Sequence, residues 1–233
     1  MKRFYEQVTV EAAEGGWQVA LDGRRLKTPA GAPQIVPTRA LAEALAEEWR
    51  LQPQKIDPRG LPMRDMADYA IDRVRGDRAA TIAAILNFAE TDTLCYRADP
   101  GDPLRKRQDE WWDALLAPVE ARLGARFERI DGIGHRPQPR ETLAAARSRL
   151  EGENVFTLAA LQNLSALAAS LAIAFAAVEP EADGETLFAA ANLEEDWQAV
   201  EWGWDSEALA RRDGRLAGFL LAQRLALLAV DAG

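Results

Sequence analysis

The sequence predicts an α+β fold, in which a small N-terminal antiparallel β domain precedes a larger, mostly α-helical domain. Two observations favour this class. Apolar and polar residues alternate, with frequent turn residues, over residues 1–37, and the apolar period becomes helical from Thr38 onward. A chain of 233 residues can bury a substantial core. We therefore expect a β-rich domain over residues 1–37 and a helical domain over residues 38–233.

The N-terminal domain is predicted to consist of short strands joined by tight turns. Alternating apolar residues indicate strands within residues 4–10 and 17–21, with a turn at residues 14–16 between them. Asp22-Gly23 predicts a second turn, because both central positions of a type I′ turn need a positive φ. Further strand-like stretches lie at residues 25–28 and 34–36.

Helical periodicity then governs the rest of the chain. Thr38 can cap a helix whose apolar residues Leu41, Leu45 and Trp49 recur every four positions. Pro118 should bend or interrupt a later helix. The other predicted helices span about residues 66–74, 77–88, 104–123, 140–151, 157–179, 185–202 and 205–230, and short strand-like stretches lie at residues 91–97 and 125–130.

One uncharged segment, residues 157–178, has the length of a membrane span. It contains Gln162, Asn163, Ser165 and Ser170, and nine of its 22 residues are alanines, which are only weakly apolar. A buried central helix is the better interpretation. We therefore expect no membrane insertion.

Composition excludes several classes of protein. A net charge of -9 argues against a non-specific nucleic-acid binder, which needs a basic surface. The single cysteine, Cys95, rules out an internal disulfide framework and is compatible with a reducing compartment. The N-terminus lacks the apolar stretch of a signal peptide, so a cytoplasmic protein, or a mature form without its presequence, is expected.

The sequence gives little sign of catalysis. His135, the single histidine, lies in a loop and cannot form a histidine metal site, so local hydrogen bonding is its expected role. Cys95 is expected to be a buried structural thiol. No phosphate-binding loop or dinucleotide motif is present, and we expect no metal, no cofactor and no enzyme activity. A hydrolase that uses two carboxylates stays open, although no pair stands out.

The negative charge is concentrated near the C-terminus. Residues 179–210 contain ten acids and no lysine or arginine. The rest of the chain carries a net charge of about +1, since its 28 basic residues face 27 acids. Three of the seven tryptophans, Trp197, Trp202 and Trp204, lie within this acidic block.

Helical geometry divides these rings into two groups. Leu193, Trp197, Val200 and Trp204 fall on one stripe at spacings of four, three and four, which predicts a core face. Trp202 lies about 140° away from Trp197.

The side that Trp202 occupies allows two interpretations. It includes Glu195 and Gln198, with Asp205 at its margin. On the first interpretation, this side of the helix packs on a neighbouring helix while its acids are solvated. On the second, it binds a basic partner surface through its tryptophan and carboxylates. On the second interpretation, the candidate partner-binding residues are Glu194, Glu195, Gln198, Trp202 and Asp205.

Several motifs together resemble the family of assembly chaperones that bind the alpha subunit of the catalytic head of ATP synthase. The combination is highly specific and covers nearly the whole chain. The matching stretches are KRFY (2–5), GWQVALDGRRLKTPAG (16–31), IVPTRALAEALAEEW (35–49), IDP (56–58), LP (61–62), AIDRV (70–74), TDTLCYR (91–97) and LEEDWQAVEWGWDSEA (193–208).

The resemblance implies a non-catalytic chaperone that holds the unassembled alpha subunit until it meets the beta subunit. It also implies a cytoplasmic protein in bacteria and a mitochondrial matrix protein in eukaryotes. An acid that matters in the family falls on Glu194 or Glu195, and we favour Glu195 because it shares the side of Trp202. Trp204 stands where many members carry an acid.

Two other functions stay open at this point. One is a small-molecule hydrolase or binding protein that uses a carboxylate cluster in the helical domain. The other is a scaffold that dimerises through its acidic block. For the chaperone, we expect a monomer.

Overall fold

The computed structural model describes residues 1–132, 134–203 and 205–230, apart from the side chains of Glu201 and Trp202. Within these residues, an antiparallel sheet is followed by a series of helices, which confirms the α+β class. The chain divides into two compact units. The first takes in residues 1–78, 154–160 and the C-terminal residues from 224 onward, and the second takes in residues 79–153 and 161–223. This division differs from the boundary after residue 37, which stays a prediction.

The described strands and helices have the following bounds. The strands are β1 Val8–Ala13, β2 Gly16–Leu21, β3 Arg24–Arg25, β4 Ile35–Val36, β5 Tyr96–Arg97 and β6 Ile130–Asp131. The α-helices are α1 Arg39–Arg50, α2 Pro62–Tyr69, α3 Arg78–Glu90, α4 Pro103–Leu123, α5 Arg140–Gly152, α6 Val155–Ala168, α7 Leu171–Ala177, α8 Gly184–Ala191, α9 Leu193–Trp202 and α10 Ser206–Leu228. A π-helical stretch, Ala70–Val74, continues α2, and a short 3₁₀ helix, Thr93–Cys95, precedes β5.

The sheet of the first unit is arranged around β2. Strand β1 pairs with it in an antiparallel register that runs from Val8 opposite Leu21 to Ala13 opposite Gly16, while β3 and β4 also pair with β2. Asp22 and Gly23 both have positive φ, at 48° and 76°, which confirms the turn predicted from their sequence.

Helix α1 covers this sheet and begins where the sequence predicts. The Thr38 hydroxyl accepts a hydrogen bond from the Leu41 backbone N–H at 3.0 Å, which satisfies a donor that the helix itself cannot pair. Leu41, Leu45 and Trp49 are buried, as predicted. The Tyr5 hydroxyl donates to the Trp49 carbonyl at 2.7 Å, so the N-terminal segment is fixed to the end of α1.

The second unit is built around α4, which contacts α5, α7 and α9. Its core includes the fully buried rings of Trp112, Phe175, Phe188 and Phe219. Pro118 does not interrupt α4, which continues to Leu123, and the bend predicted as the alternative stays a prediction. Pro118 is exposed, so solvent can satisfy the carbonyl that loses its helical N–H partner.

Two predicted helices are each divided in two. The segment predicted as one helix over 157–179 breaks at Ala169, which has a φ of 48°, and Ser170 then caps α7 by accepting from the Ile173 N–H at 3.0 Å. The segment predicted over 185–202 breaks at Asn192, whose side-chain amide donates to the Phe188 carbonyl at 2.8 Å. In both places, a side-chain hydrogen bond competes with continuation of the helix. None of the described helices is both long enough and apolar enough to span a bilayer.

A buried carboxylate fixes the first of these breaks. Asp92 is fully buried, and its two oxygens accept from the Leu94 N–H at 3.0 Å and from the Ala172 N–H at 2.9 Å. Beside it, the Thr93 hydroxyl and N–H both donate to the Ala169 carbonyl, at 2.9 and 3.0 Å. The TDTLCYR motif therefore fixes the chain reversal between α6 and α7.

Replacing this carboxylate should change the pH dependence of stability. Burial raises the pKa of Asp92 to about 6, so between about pH 4 and pH 6 the folded state retains a proton that the unfolded state releases. The contribution of Asp92 to stability therefore falls as the pH rises, by about 3 kcal/mol in total. We expect Asp92→Asn to be destabilising because its amide N–H₂ opposes a backbone N–H, with a penalty that is largest near pH 4.5 and smaller near pH 7.5.

Urea unfolding of both proteins across this pH range measures the effect. Asp99→Asn is the matched control, since Asp99 is exposed in the same segment and should leave the pH profile of the wild type unchanged. Parallel profiles for the wild type and Asp92→Asn would contradict the assignment of this titration to Asp92.

Candidate functional site

The predicted partner-binding residues lie on two consecutive helices of the second unit. Helix α9 ends at Trp202 because Gly203 adopts a φ of 85° and leaves the helical conformation. The Asp205 carboxylate then starts α10 by accepting from the N–H groups of Glu207 and Ala208, at 2.9 and 2.8 Å. We call residues 193–203 and 205–215 the acidic hairpin.

Ion pairs hold the two arms of the acidic hairpin together. Arg212 on α10 makes a bidentate contact with Asp196 on α9, at 2.8 and 2.6 Å from its Nε and terminal nitrogens. One turn of α10 later, Arg215 pairs with Glu195. The pairing of later α10 residues with earlier α9 residues requires the two helices to run antiparallel. Each contact joins a positive and a negative charge, so the arms attract one another.

An aromatic platform lies beneath these pairs. Phe188 on α8 is 1% exposed and packs against Phe219, with their ring centroids 5.7 Å apart. The guanidinium carbons of Arg212 and Arg215 lie 5.5 and 5.9 Å from the centroid of the Phe188 ring. Both arginines therefore contact an aromatic face while they bind the carboxylates of α9.

The N-terminal end of α9 is fixed to α4. Leu193 is buried, and the neighbouring Glu194 carboxylate accepts a hydrogen bond from the Gln108 side-chain amide at 2.8 Å. The oxygen of the same Gln108 side-chain amide accepts from the Ala98 N–H at 2.7 Å, and Gln108 is fully buried. Desolvation raises the pKa of Glu194, and the Gln108 hydrogen bond acts in the opposite direction.

The C-terminal half of α9 is not covered in this way. Val200 is 87% exposed, and Leu209 on α10 is 44% exposed. The acidic hairpin therefore presents aliphatic side chains to solvent between its carboxylates. Single exposed apolar residues are ordinary, but here they lie on an element whose conformation is fixed by ion pairs.

This exposure corrects the predicted core stripe of α9. Leu193 is buried and Trp197 is partly buried, but Val200 is not a core residue. The stripe fails because α9 has only ten residues and its core contacts are with α4 and α8 near its start. The fourth member, Trp204, lies outside the described residues, as does the side chain of Trp202.

Arginines from outside the acidic block neutralise a part of its charge. Glu179 is paired with Arg149 at 3.0 Å and with Arg122 at 3.4 Å. The further pairs are Glu195 with Arg215, Asp196 with Arg212 and Glu207 with Arg211. The acids of the block are therefore a mixture of paired and unpaired carboxylates, which a count along the sequence cannot show.

The five predicted residues have different environments. Glu194 and Gln198 are exposed on α9, Glu195 is half-exposed in its pair with Arg215, and Asp205 caps α10. Trp202 is the last residue of α9. Sequence reasoning missed the roles of Arg212 and Arg215, which pair with Asp196 and Glu195. It also missed Phe188, whose ring lies beneath both arginines. The arginines that directly follow the acidic block were the available signal, because antiparallel helices bring them back over α9.

Two acids with shifted pKa values have structural roles. Asp92 has a raised pKa but is fully buried, and Asp183 caps α8 with its pKa lowered by hydrogen bonds from Thr186 and Glu185. No set of three potential ligands in this part of the chain could hold a metal ion. Burial raises the pKa of the Cys95 thiol, and His135 hydrogen-bonds with the Tyr96 hydroxyl at 3.2 Å, so the structural roles expected of both residues are confirmed.

Comparisons with known proteins place this fold in a class of chaperones rather than enzymes. The model of the family described as ATP12 chaperone protein matches residues 2–120, and the chain belongs to this family. The resemblance read from the sequence is thus confirmed, and with it the role of an assembly chaperone. The acidic hairpin lies outside the matched residues.

Solved structures extend the similarity to the second unit. Atp12 from Paracoccus denitrificans has a TM-score of 0.93 and 35% sequence identity, with 98% of each chain covered. A protein from Agrobacterium tumefaciens has a TM-score of 0.91 and 41% identity, covering 97% of this chain and 85% of the other. The mitochondrial protein atp12 of Schizosaccharomyces pombe is 29% identical over 216 residues, which is 87% of this chain and 74% of that protein.

The Asp196–Arg212 pair should contribute measurably to the stability of the acidic hairpin. The two side chains are only 31% and 17% exposed and make a bidentate contact, so solvent screens them incompletely. In a double-mutant cycle with Asp196→Ala and Arg212→Ala, we expect a coupling energy of about 1 kcal/mol from chemical denaturation.

The Glu207–Arg211 pair is the matched control. Its side chains are 82% and 61% exposed, so the same cycle should give a coupling close to zero. Equal coupling in the two cycles would show that Asp196 and Arg212 do not hold the arms together.

Proposed function

We propose that this chaperone binds the unassembled alpha subunit of ATP synthase through the acidic hairpin. The observation that carries the proposal is the exposure of Val200 and Leu209 among carboxylates on a helix pair that ion pairs fix in place. Family membership supports the choice of partner. The site comprises Glu194, Glu195, Gln198, Trp202 and Asp205, to which the exposed Val200 and Leu209 are added.

The chemistry of this surface suits a temporary complex. A subunit that awaits its neighbours exposes an interface liable to self-association, and a chaperone has to cover that interface and later release it. Small aliphatic contacts supply modest affinity. Carboxylates around them favour a basic partner surface and speed association, since charge governs selectivity and on-rate more than affinity. The beta subunit can then displace the chaperone.

The residues of the site are expected to act in different ways. Glu194 and Gln198 are exposed and can contact the partner directly. Glu195 can contact a basic partner residue while Arg215 holds its carboxylate in place. Asp205 sets the start of α10 and so positions Leu209. Trp202, the last residue of α9, is proposed to add an aromatic contribution, because tryptophan is a residue type that often dominates binding energy.

The proposed compartment is the one in which the catalytic head is assembled. That compartment is the cytoplasm in a bacterium and the mitochondrial matrix in a eukaryote.

A positive charge introduced on α9 should weaken capture of the alpha subunit. We expect Gln198→Lys to reduce the amount of alpha subunit that co-purifies after co-expression by about fivefold or more, because the added cation repels a basic partner surface. Glu195→Lys should act in the same direction and also repel Arg215. Trp202→Ala tests the aromatic contribution in the same assay.

The matched control is Glu14→Lys, which adds the same charge change as Glu195→Lys to an exposed turn of the β-sheet in the first unit. It should capture the alpha subunit as well as the wild type does. If Gln198→Lys, Glu195→Lys and Trp202→Ala all fold and retain full capture, the acidic hairpin is not the binding surface.

A further inference from the structure

A second concave surface of the second unit lies between α4, α7 and α8. It is an open groove of about 610 Å³. Its apolar lining comes from Leu115, Pro118, Val119, Ala176, Pro180 and Leu187. The acidic hairpin shares none of these residues, so the groove is a separate surface.

Three of the charged groups that line the groove already have partners within the protein. Arg122 pairs with Glu179 at 3.4 Å. Asp183 accepts from the backbone N–H groups of Glu185 and Thr186 at 3.1 and 3.3 Å, and from the Thr186 hydroxyl at 2.6 Å. A polar small molecule would have to break these contacts to bind, whereas an apolar side chain would not.

The rim of the groove is negative. Glu181 lines it and Glu185 follows in the first turn of α8, and both are exposed. Neither makes an ion pair among the described residues. Hydrogen bonds lower the pKa of Asp183, which keeps this third carboxylate charged. A basic segment is therefore the complementary occupant of the rim.

The wall of the groove is held in place by a buried glutamine. The Gln223 side-chain amide donates to the carbonyls of Ala177 and Ala182, both at 3.0 Å, and so joins the two ends of the loop between α7 and α8. Gly184 has no side chain at the point where a Cβ would collide with Gln223. The groove thus has a fixed wall before any partner binds, which reduces the entropy lost on binding.

We infer that this groove binds an apolar side chain flanked by lysine or arginine on the unassembled protein that the acidic hairpin also holds. The inference rests on the proposed function and adds a second point of contact. Two weak contacts on one partner act together, because binding at the first raises the effective concentration of the partner at the second. Such a complex is selective for its partner and can still be opened one contact at a time.

Filling the groove tests the inference. Ala176→Trp places a large ring inside it and should lower the affinity for the alpha subunit by about tenfold. Glu181→Lys alters only the exposed rim and should lower the affinity in the same direction, which keeps the test valid if Ala176→Trp fails to fold. The measurement is titration of purified alpha subunit against each variant, with thermal unfolding as the check on folding.

Ala117→Trp is the matched control, since Ala117 is exposed on α4 and lies about 160° around the helix from the groove-lining residues Leu115 and Val119. It should bind as the wild type does. Wild-type binding together with unchanged binding by Ala176→Trp and Glu181→Lys would overturn the groove inference alone. Absence of binding by the wild type would overturn the proposed function and the groove inference together.

A photo-cross-linking residue in place of Leu115, compared with one in place of Ala117, identifies the occupant. We expect position 115 to give the stronger cross-link, at a segment of the alpha subunit that contains an apolar residue next to lysine or arginine. Cross-links of equal yield at the two positions, or a cross-linked segment without basic residues, would contradict the inference.

Discussion

The second unit depends on the buried carboxylate of Asp92. It accepts backbone N–H groups from two separate segments, at Leu94 and Ala172, and so holds the chain reversal between α6 and α7. Without that reversal, the apolar run over residues 157–178 would be free to form one long helix. Burial of this charged group is unfavourable, because the site has no exposure to solvent, and it raises the pKa of Asp92 to about 6. The hydrogen bonds that Leu94 and Ala172 donate to the two oxygens of Asp92 offset this cost.

The TDTLCYR motif also links this reversal to α4 and to the acidic hairpin. Arg97, at the end of the motif, is 2% exposed and pairs with Asp109 and Asp113 on α4, at 2.8 and 2.9 Å. One residue further, Ala98 donates to Gln108, which in turn donates to Glu194 at the start of α9. A short series of polar contacts thus fixes where α9 begins. Beyond that start, ion pairs between α9 and α10 hold the hairpin over the buried Phe188 ring. Val200 and Leu209 stay exposed, which suits the proposed role of a surface that meets another protein.

Local signals in the sequence were reliable where the structure depends on neighbours in the chain. The Thr38 cap, the Asp22-Gly23 turn and the buried face of α1 follow from local geometry, and the structure confirms each of them. The breaks at Ala169 and Asn192 could not be predicted, because they depend on hydrogen bonds that only the folded chain can make. Similarly, helical periodicity placed Val200 in the core, although a face is buried only where another element covers it. The family was identifiable from its motifs, whereas the ion pairs that neutralise a part of the acidic block required the three-dimensional arrangement.

The central claim is that the acidic hairpin is the surface that meets the alpha subunit. Hydrogen–deuterium exchange of the chaperone, alone and with a saturating amount of alpha subunit, tests it most directly. We expect exchange in peptides from residues 193–203 and 205–215 to slow by about tenfold or more on binding, because a bound partner suppresses local opening. Peptides from β1 and β2 should be unchanged. Protection confined to the β-sheet, with no change in the hairpin peptides, would contradict the account.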